Sequence, residues 1–214
     1  VKGKLDGSRL TATVADQASI VAGDSVMLDK TVLTAGALTA TATTGILSVK
    51  DAEIKATKDG VTLTAEAADI DASGVNLSAV GAATLTAGQD LKLATSGDAV
   101  ARVTAKSLSA TACGALDASR LQVAVKEASA FRSNGLLTIT DANVSGGSLR
   151  AEGDAGVEGS RIKVDVTGNG YNEGNRGDYE GVVTIKSSKG PVTLTGADVK
   201  GDKGDFFARS EGDL

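Results

Sequence analysis

The chain has few of the side chains from which globular enzymes usually build a core. Its 214 residues include no Trp, no His and a single Pro, and only 2% are aromatic. Large aromatic and branched side chains supply much of the buried area in such enzymes. Because 41% of the residues are nevertheless apolar, many small Ala, Val and Leu side chains must be buried instead. This predicts a thin, regularly packed interior.

Other absences limit the classes of function. The net charge is −5, and both signs are spread along the chain, so no basic stripe for nucleic acid is present. No segment approaches the roughly 18 consecutive apolar residues of a membrane span. Without His, a nucleophile motif or a phosphate loop, no set of acid, base and nucleophile assembles. We therefore expect no enzyme, no cofactor, no metal, no nucleic-acid partner and no membrane span.

Cysteine is nearly absent as well. Cys113 stands alone in the stretch TACGALDAS. One Cys forms neither a disulfide framework nor a CxxC site. We expect its side chain to pack inward as a small hydrophobic group.

The strongest positive signal is strict alternation of apolar and polar residues. In GVTLTA, residues Val61, Leu63 and Ala65 have one parity, while Thr62 and Thr64 have the other. This is the pattern of a half-buried β-strand. An amphipathic helix would need apolar spacings of three and four, and the Thr, Val and Gly content also opposes a helix.

The alternation restarts along the chain, on average about every seven residues, which is typical of a solenoid. Gly, Asp, Ser and Asn mark the corners, but the hairpin dipeptide Asp-Gly occurs only at Asp6 and Asp59. A chain that always turns the same way forms a parallel β-helix. We predict an all-β fold, a right-handed parallel β-helix forming an elongated rod of about ten coils. The spacing leaves two or three strands per coil open.

This pattern predicts one β-helix domain over residues 1–214. The final coils, over residues 182–214, are expected to be less regular. Because Val1 opens in mid-pattern, we expect the chain to be a piece of a longer filamentous protein.

Several runs carry a family resemblance. GVTLTAEAADIDASGVNLSA, AATLTAGQDLKLATSGDA and VLTAGALTATATTG resemble the repeat region of filamentous haemagglutinin-like exoproteins of Gram-negative bacteria. These are large two-partner secretion adhesins, together with the related contact-dependent inhibition proteins. The resemblance implies a structural and adhesive stalk that attaches to host cells or other bacteria. The stalk of a contact-dependent inhibition toxin is an alternative, and a glycan-processing β-helix enzyme with a carboxylate-lined groove is an alternative of another class.

The same resemblance implies the location and the partners. The protein would be secreted with the help of an outer-membrane transporter and would be retained at, or released from, the bacterial surface. Its partners would be a host-cell receptor, a glycan or a neighbouring bacterial surface.

One segment interrupts the alternation. TGNGYNEGNRGDYEG, residues 167–181, is rich in Gly, Asn and charge, which predicts a protruding loop and a candidate for function. Within it Arg176, Gly177 and Asp178 resemble the integrin-binding tripeptide of many adhesins, and Tyr171 and Tyr179 lie nearby. An Arg and an Asp extended on a Gly turn would bridge an acidic pocket and a metal ion on a receptor. A plain solvated loop remains the alternative.

Thr-x-Thr pairs raise one further possibility. They occur in TAT, TLT and TIT, and stacked in register they would form an ice-binding or glycan-binding ladder. However, the outward positions of VNLSA, LKLAT and LQVAV hold Asn, Ser, Lys, Ala and Gln. We therefore predict an irregular polar face.

Overall fold

The fold is a parallel β-helix. The computed structural model describes residues 1–167, 182–201 and 206–211, together with the backbone of residues 170–171 and 179–180. In these residues the chain forms three parallel sheets of nine strands each and contains no helix. The all-β, β-helical prediction is therefore confirmed.

Three strands make one coil, or rung, and each rung contributes one strand to every sheet. Sheet A contains β1 (Leu5–Asp6), β4 (Val26–Met27), β7 (Leu47–Ser48), β10 (Ile70–Asp71), β13 (Leu91–Lys92), β16 (Leu116–Asp117), β19 (Leu136–Thr140), β22 (Gly156–Ser160) and β27 (Val192–Thr195). Sheet B contains β2 (Thr11–Thr13), β5 (Val32–Ala35), β8 (Glu53–Ala56), β11 (Asn76–Ala79), β14 (Arg102–Ala105), β17 (Gln122–Val125), β20 (Asn143–Gly146), β23 (Lys163–Val166) and β28 (Asp198–Gly201). Sheet C contains β3 (Gln17–Ala22), β6 (Ala37–Ala42), β9 (Val61–Ala65), β12 (Ala83–Ala87), β15 (Leu108–Ala112), β18 (Ala128–Ser133), β21 (Ser148–Gly153), β26 (Val183–Ser187) and β29 (Phe206–Ser210). A separate antiparallel pair joins β24 (Gly170–Tyr171) to β25 (Tyr179–Glu180).

The length of a rung follows from the strand register. Leu5 pairs with Val26, and Val26 pairs with Leu47, so each of these rungs spans 21 residues. The described residues make nine rungs, close to the ten expected. The difference arises because Val192 follows its sheet A partner Val157 by 35 residues, whereas Val157 follows Leu137 by 20. Within the longer span, β24 and β25 pair with each other and with none of the three sheets. At about 4.8 Å per rung the stack is about 40 Å long.

The core consists of columns of like side chains that run along the rod. In sheet A the inward column is fully buried from the second to the eighth rung, where it contains Val26, Leu47, Ile70, Leu91, Leu116, Leu137 and Val157. Sheet C ends its early strands on a column of alanines: Ala22, Ala42, Ala65, Ala87 and Ala112. Small and medium side chains fill most of this narrow interior, as the composition predicted, and Phe131 is the one buried aromatic among the side chains that the structure describes. Backbone pairing and these columns together stabilise the stack.

The corner between sheets A and B repeats in eight of the nine described rungs. At each of these corners the residue four positions after the inward residue of the sheet A strand has a φ of 50–68°. These residues are Arg9, Lys30, Asp51, Gly74, Arg120, Asp141, Arg161 and Gly196. A left-handed backbone favours Gly and costs other residues roughly 1–2 kcal/mol. Six of the eight corners therefore hold a strained non-Gly residue.

We expect Lys30→Gly to raise the free energy of unfolding by about 1 kcal/mol, because it relieves a left-handed backbone. The Lys30 side chain is exposed. Chemical unfolding in urea would measure the change. The matched control is Lys50→Gly, one rung further on and also exposed, where φ is not positive. In that control the free energy of unfolding should fall by about 0.5–1 kcal/mol. Equal changes in the free energy of unfolding at both positions would contradict the prediction.

Among the described residues, none belongs to a helix long and apolar enough to cross a bilayer.

Candidate functional site

The segment predicted to form a loop lies between β23 of sheet B and β26 of sheet C, in the eighth rung. The Thr167 amide donates to the Gly146 carbonyl at 2.9 Å, and the Leu149 amide donates to the Val182 carbonyl at 3.0 Å. Both ends of the segment are thus tied by backbone bonds to the seventh rung. Beyond it, β26 pairs in register with β21, so the stack of sheet C continues past the insertion.

Two short strands within this segment pair the backbones of the two predicted Tyr residues. Tyr171 and Tyr179 are Cα partners in the antiparallel pair of β24 and β25, and Gly170 pairs with Glu180. Such a ladder brings the two ends of the segment together. The other predicted site residues, Arg176, Gly177 and Asp178, lie outside the described residues, so their assignment to a receptor contact stays a prediction.

A second feature lies on the outer surface of sheet C over its first five rungs. Strands β3, β6, β9, β12 and β15 pair in exact register there. One outward column contains Ser19, Thr39, Thr62, Thr84 and Ser109, and the neighbouring column contains Val21, Thr41, Thr64, Thr86 and Thr111. We call these ten residues the hydroxyl face. All of them are partly or fully exposed.

The hydroxyl face corrects the prediction of an irregular polar surface. That prediction compared Thr pairs with the outward residues of VNLSA, LKLAT and LQVAV. The structure places those segments in sheets B and A, at β11, β13 and β17. Within sheet C itself, the Thr pairs stack directly on one another.

From the sixth rung onward the outer surface of sheet C is charged. Glu152 on β21 accepts from Arg132 at 3.2 Å and from Arg150 at 2.6 Å. Glu211 contacts Lys186 at 3.2 Å and Arg209 at 3.3 Å. Ion pairs at a solvent-accessible surface contribute little stability. The outer surface of sheet C is therefore divided into a neutral part and a charged part.

One close ion pair links the corners of the seventh and eighth rungs. The Arg161 guanidinium donates to both carboxylate oxygens of Asp141, at 2.5 and 2.7 Å. This bidentate contact lowers the pKa of Asp141 and raises the pKa of Arg161. Arg161 is exposed and Asp141 is partly exposed, and the contact joins two neighbouring rungs.

Metal ligation has no visible basis in the part of the chain that the structure describes. No group of three or more Cys, Asp or Glu side chains is placed there to hold an ion.

The expectation that Cys113 packs inward was wrong, because its side chain is exposed. Ala110 and Ala112 take the inward positions of β15, and Cys113 follows with the opposite parity.

Nine rungs of in-register parallel pairing decide the class of the protein. The chain is a β-helical repeat protein. Comparison with protein-family models, with curated proteins and with solved structures finds no match.

Proposed function

We propose that the protein is a structural stalk and adhesive segment of a secreted bacterial filamentous adhesin. The observation that carries the proposal is the unbroken stack, in which the same buried columns run from one rung to the next. Each rung in such a solenoid contacts mainly its neighbours, so length is gained by adding rungs. A stack of this kind is suited to hold a binding segment away from a surface.

The proposed role is mechanical rather than enzymatic, and the contact is assigned to the insertion between β23 and β26. Loops that project from a rigid scaffold are common binding sites. The insertion supplies Arg176, Gly177 and Asp178, flanked by Tyr171 and Tyr179, for a host-cell receptor. A glycan or a neighbouring bacterial surface is a further proposed partner.

The proposed export route follows from the family resemblance. An outer-membrane transporter would secrete the chain, and the rod would then be held at, or released from, the surface of a Gram-negative cell. The repeat pattern of GVTLTAEAADIDASGVNLSA supports this route.

The proposal is tested by attachment of protein-coated beads to host cells. We expect Asp178→Glu to reduce attachment by about tenfold, because it keeps the charge but lengthens the arm that would reach a receptor-bound metal ion. Beads are counted after washing under flow.

The matched control is Asp165→Glu, the same substitution at an exposed position of β23, on the rod just before the insertion. It should leave attachment unchanged. If beads with the unaltered protein fail to attach, the adhesive role is wrong. If all three proteins attach equally, the contact does not involve Asp178.

A further inference from the structure

The hydroxyl face is a regular two-dimensional array. Its ten positions hold seven Thr, two Ser and one Val, arranged as two columns of five. Neighbouring strands in a sheet lie about 4.8 Å apart, and residues two apart along a strand lie about 6.6 Å apart. The outward side chains therefore repeat on a lattice of about 4.8 by 6.6 Å.

The array is held stiffly from below. Leu63 and Leu85 are fully buried beneath its centre, and the alanine column lies buried beside them. Every strand between β3 and β15 is paired on both sides. Thr is also stiff at χ1 because it is β-branched. The positions of the hydroxyl and methyl groups are thus set before any ligand arrives.

The face is neutral in a chain that is otherwise rich in charge. The protein has 22 Lys and Arg and 27 Asp and Glu residues, yet none occupies any of the ten positions. The outward positions of sheet B in the same rungs include Glu53, Lys55 and Arg102. Neutrality is therefore specific to this face and does not follow from the composition.

These properties decide between possible occupants. The face measures about 20 by 10 Å, far below the roughly 800 Å² that each partner of a stable protein complex buries. It carries no charge to hold an ion and no aromatic ring on which a sugar could stack. What fits a neutral lattice of hydroxyl and methyl groups is a surface that is itself a lattice of hydrogen-bonded oxygens.

We propose that the hydroxyl face binds the surface of ice. Each hydroxyl donates one hydrogen bond and accepts others, so the columns hold water molecules at the lattice spacing of the protein. The methyl groups between them restrict how that water can orient. This water becomes part of the surface of the ice crystal, and the protein is thereby adsorbed on the ice.

The test is the growth of ice grains in a frozen solution of the protein. We expect the unaltered chain to slow grain growth and to change the shape of a single ice crystal held just below its melting point. Thr64→Lys places a charged side chain at the centre of the face, between Thr41 and Thr86. It should raise the concentration needed to halve grain growth by about tenfold or more.

The matched control is Thr104→Lys, the same change at an exposed, outward position of β14 in sheet B. It should leave the inhibition of grain growth unchanged, and circular dichroism should show both variants folded. The proposal is overturned if the unaltered protein has no effect on ice, or if both variants lose the inhibition of grain growth to the same extent. Binding to microcrystalline cellulose or chitin in place of ice would overturn it in favour of a glycan.

Discussion

Phe131→Ala is expected to lower the free energy of unfolding by about 3–5 kcal/mol. Among the side chains that the structure describes, Phe131 is the one buried aromatic, with 0% of its surface exposed. Its partners in the column are Ala110 on one side and Ala151 on the other. Neither methyl group can reach into the space that the ring leaves, so the cavity persists and its cost is added to the lost burial.

Equilibrium unfolding in urea, followed by circular dichroism, measures this loss. The matched control is Phe207→Ala on β29, where the ring is 54% exposed. That variant should change stability by about 0.5 kcal/mol or less, as is usual for exposed positions. Similar losses in the two variants would show that the interior column does not depend on the ring of Phe131.

The parity of the sequence was sufficient to predict the fold but not the number of strands per coil. Val61, Leu63 and Ala65 were predicted to face inward, and all three are fully buried. In contrast, the first six strands of sheet A contain only two residues each, such as Val26–Met27 and Ile70–Asp71. Alternation over two residues is hard to distinguish from a corner, so the pattern left two or three strands per coil open.

The hydroxyl face escaped prediction for a different reason. Whether two Thr pairs stack depends on which sheet each segment joins and on the length of every rung between them. Rung length varies: Ile70 pairs with Leu91, but Leu91 pairs with Leu116. The extra residues lie near Ser96 and Ala99, where the chain makes a tight turn. Register is thus a property of the stack, and no local pattern encodes it.

The signal for the insertion is the loss of a pattern. Residues 167–181 show no alternation, so a protruding loop there stays a prediction, while the next strand of sheet C begins at Val183. For Cys113, the general tendency of Cys to be buried gave a wrong expectation, because the residue follows Ala112 with the outward parity of β15. Within a strand ladder, local parity proved the better guide to exposure.

Gly60→Ala is expected to lower the free energy of unfolding by about 1–3 kcal/mol. Gly60 lies at the corner before β9, where an added Cβ would overlap the carbonyl oxygen of Ala82 in the next rung. That carbonyl accepts from the Val61 amide at 2.9 Å. A methyl group would therefore push apart two backbones that are joined by this bond. Since both sides of the contact are backbone, neither can move away by changing a rotamer.

The matched control is Gly3→Ala, because a Cβ at Gly3 meets nothing within 4 Å. Ala in place of Gly reduces the freedom of the unfolded chain and stabilises by about 0.4–1 kcal/mol where the backbone permits it. The two variants are thus expected to shift the urea midpoint in opposite directions. A gain at Gly60 would mean that adjacent rungs have room for a methyl group at this corner, which is incompatible with the close stacking of Gly60 on Ala82.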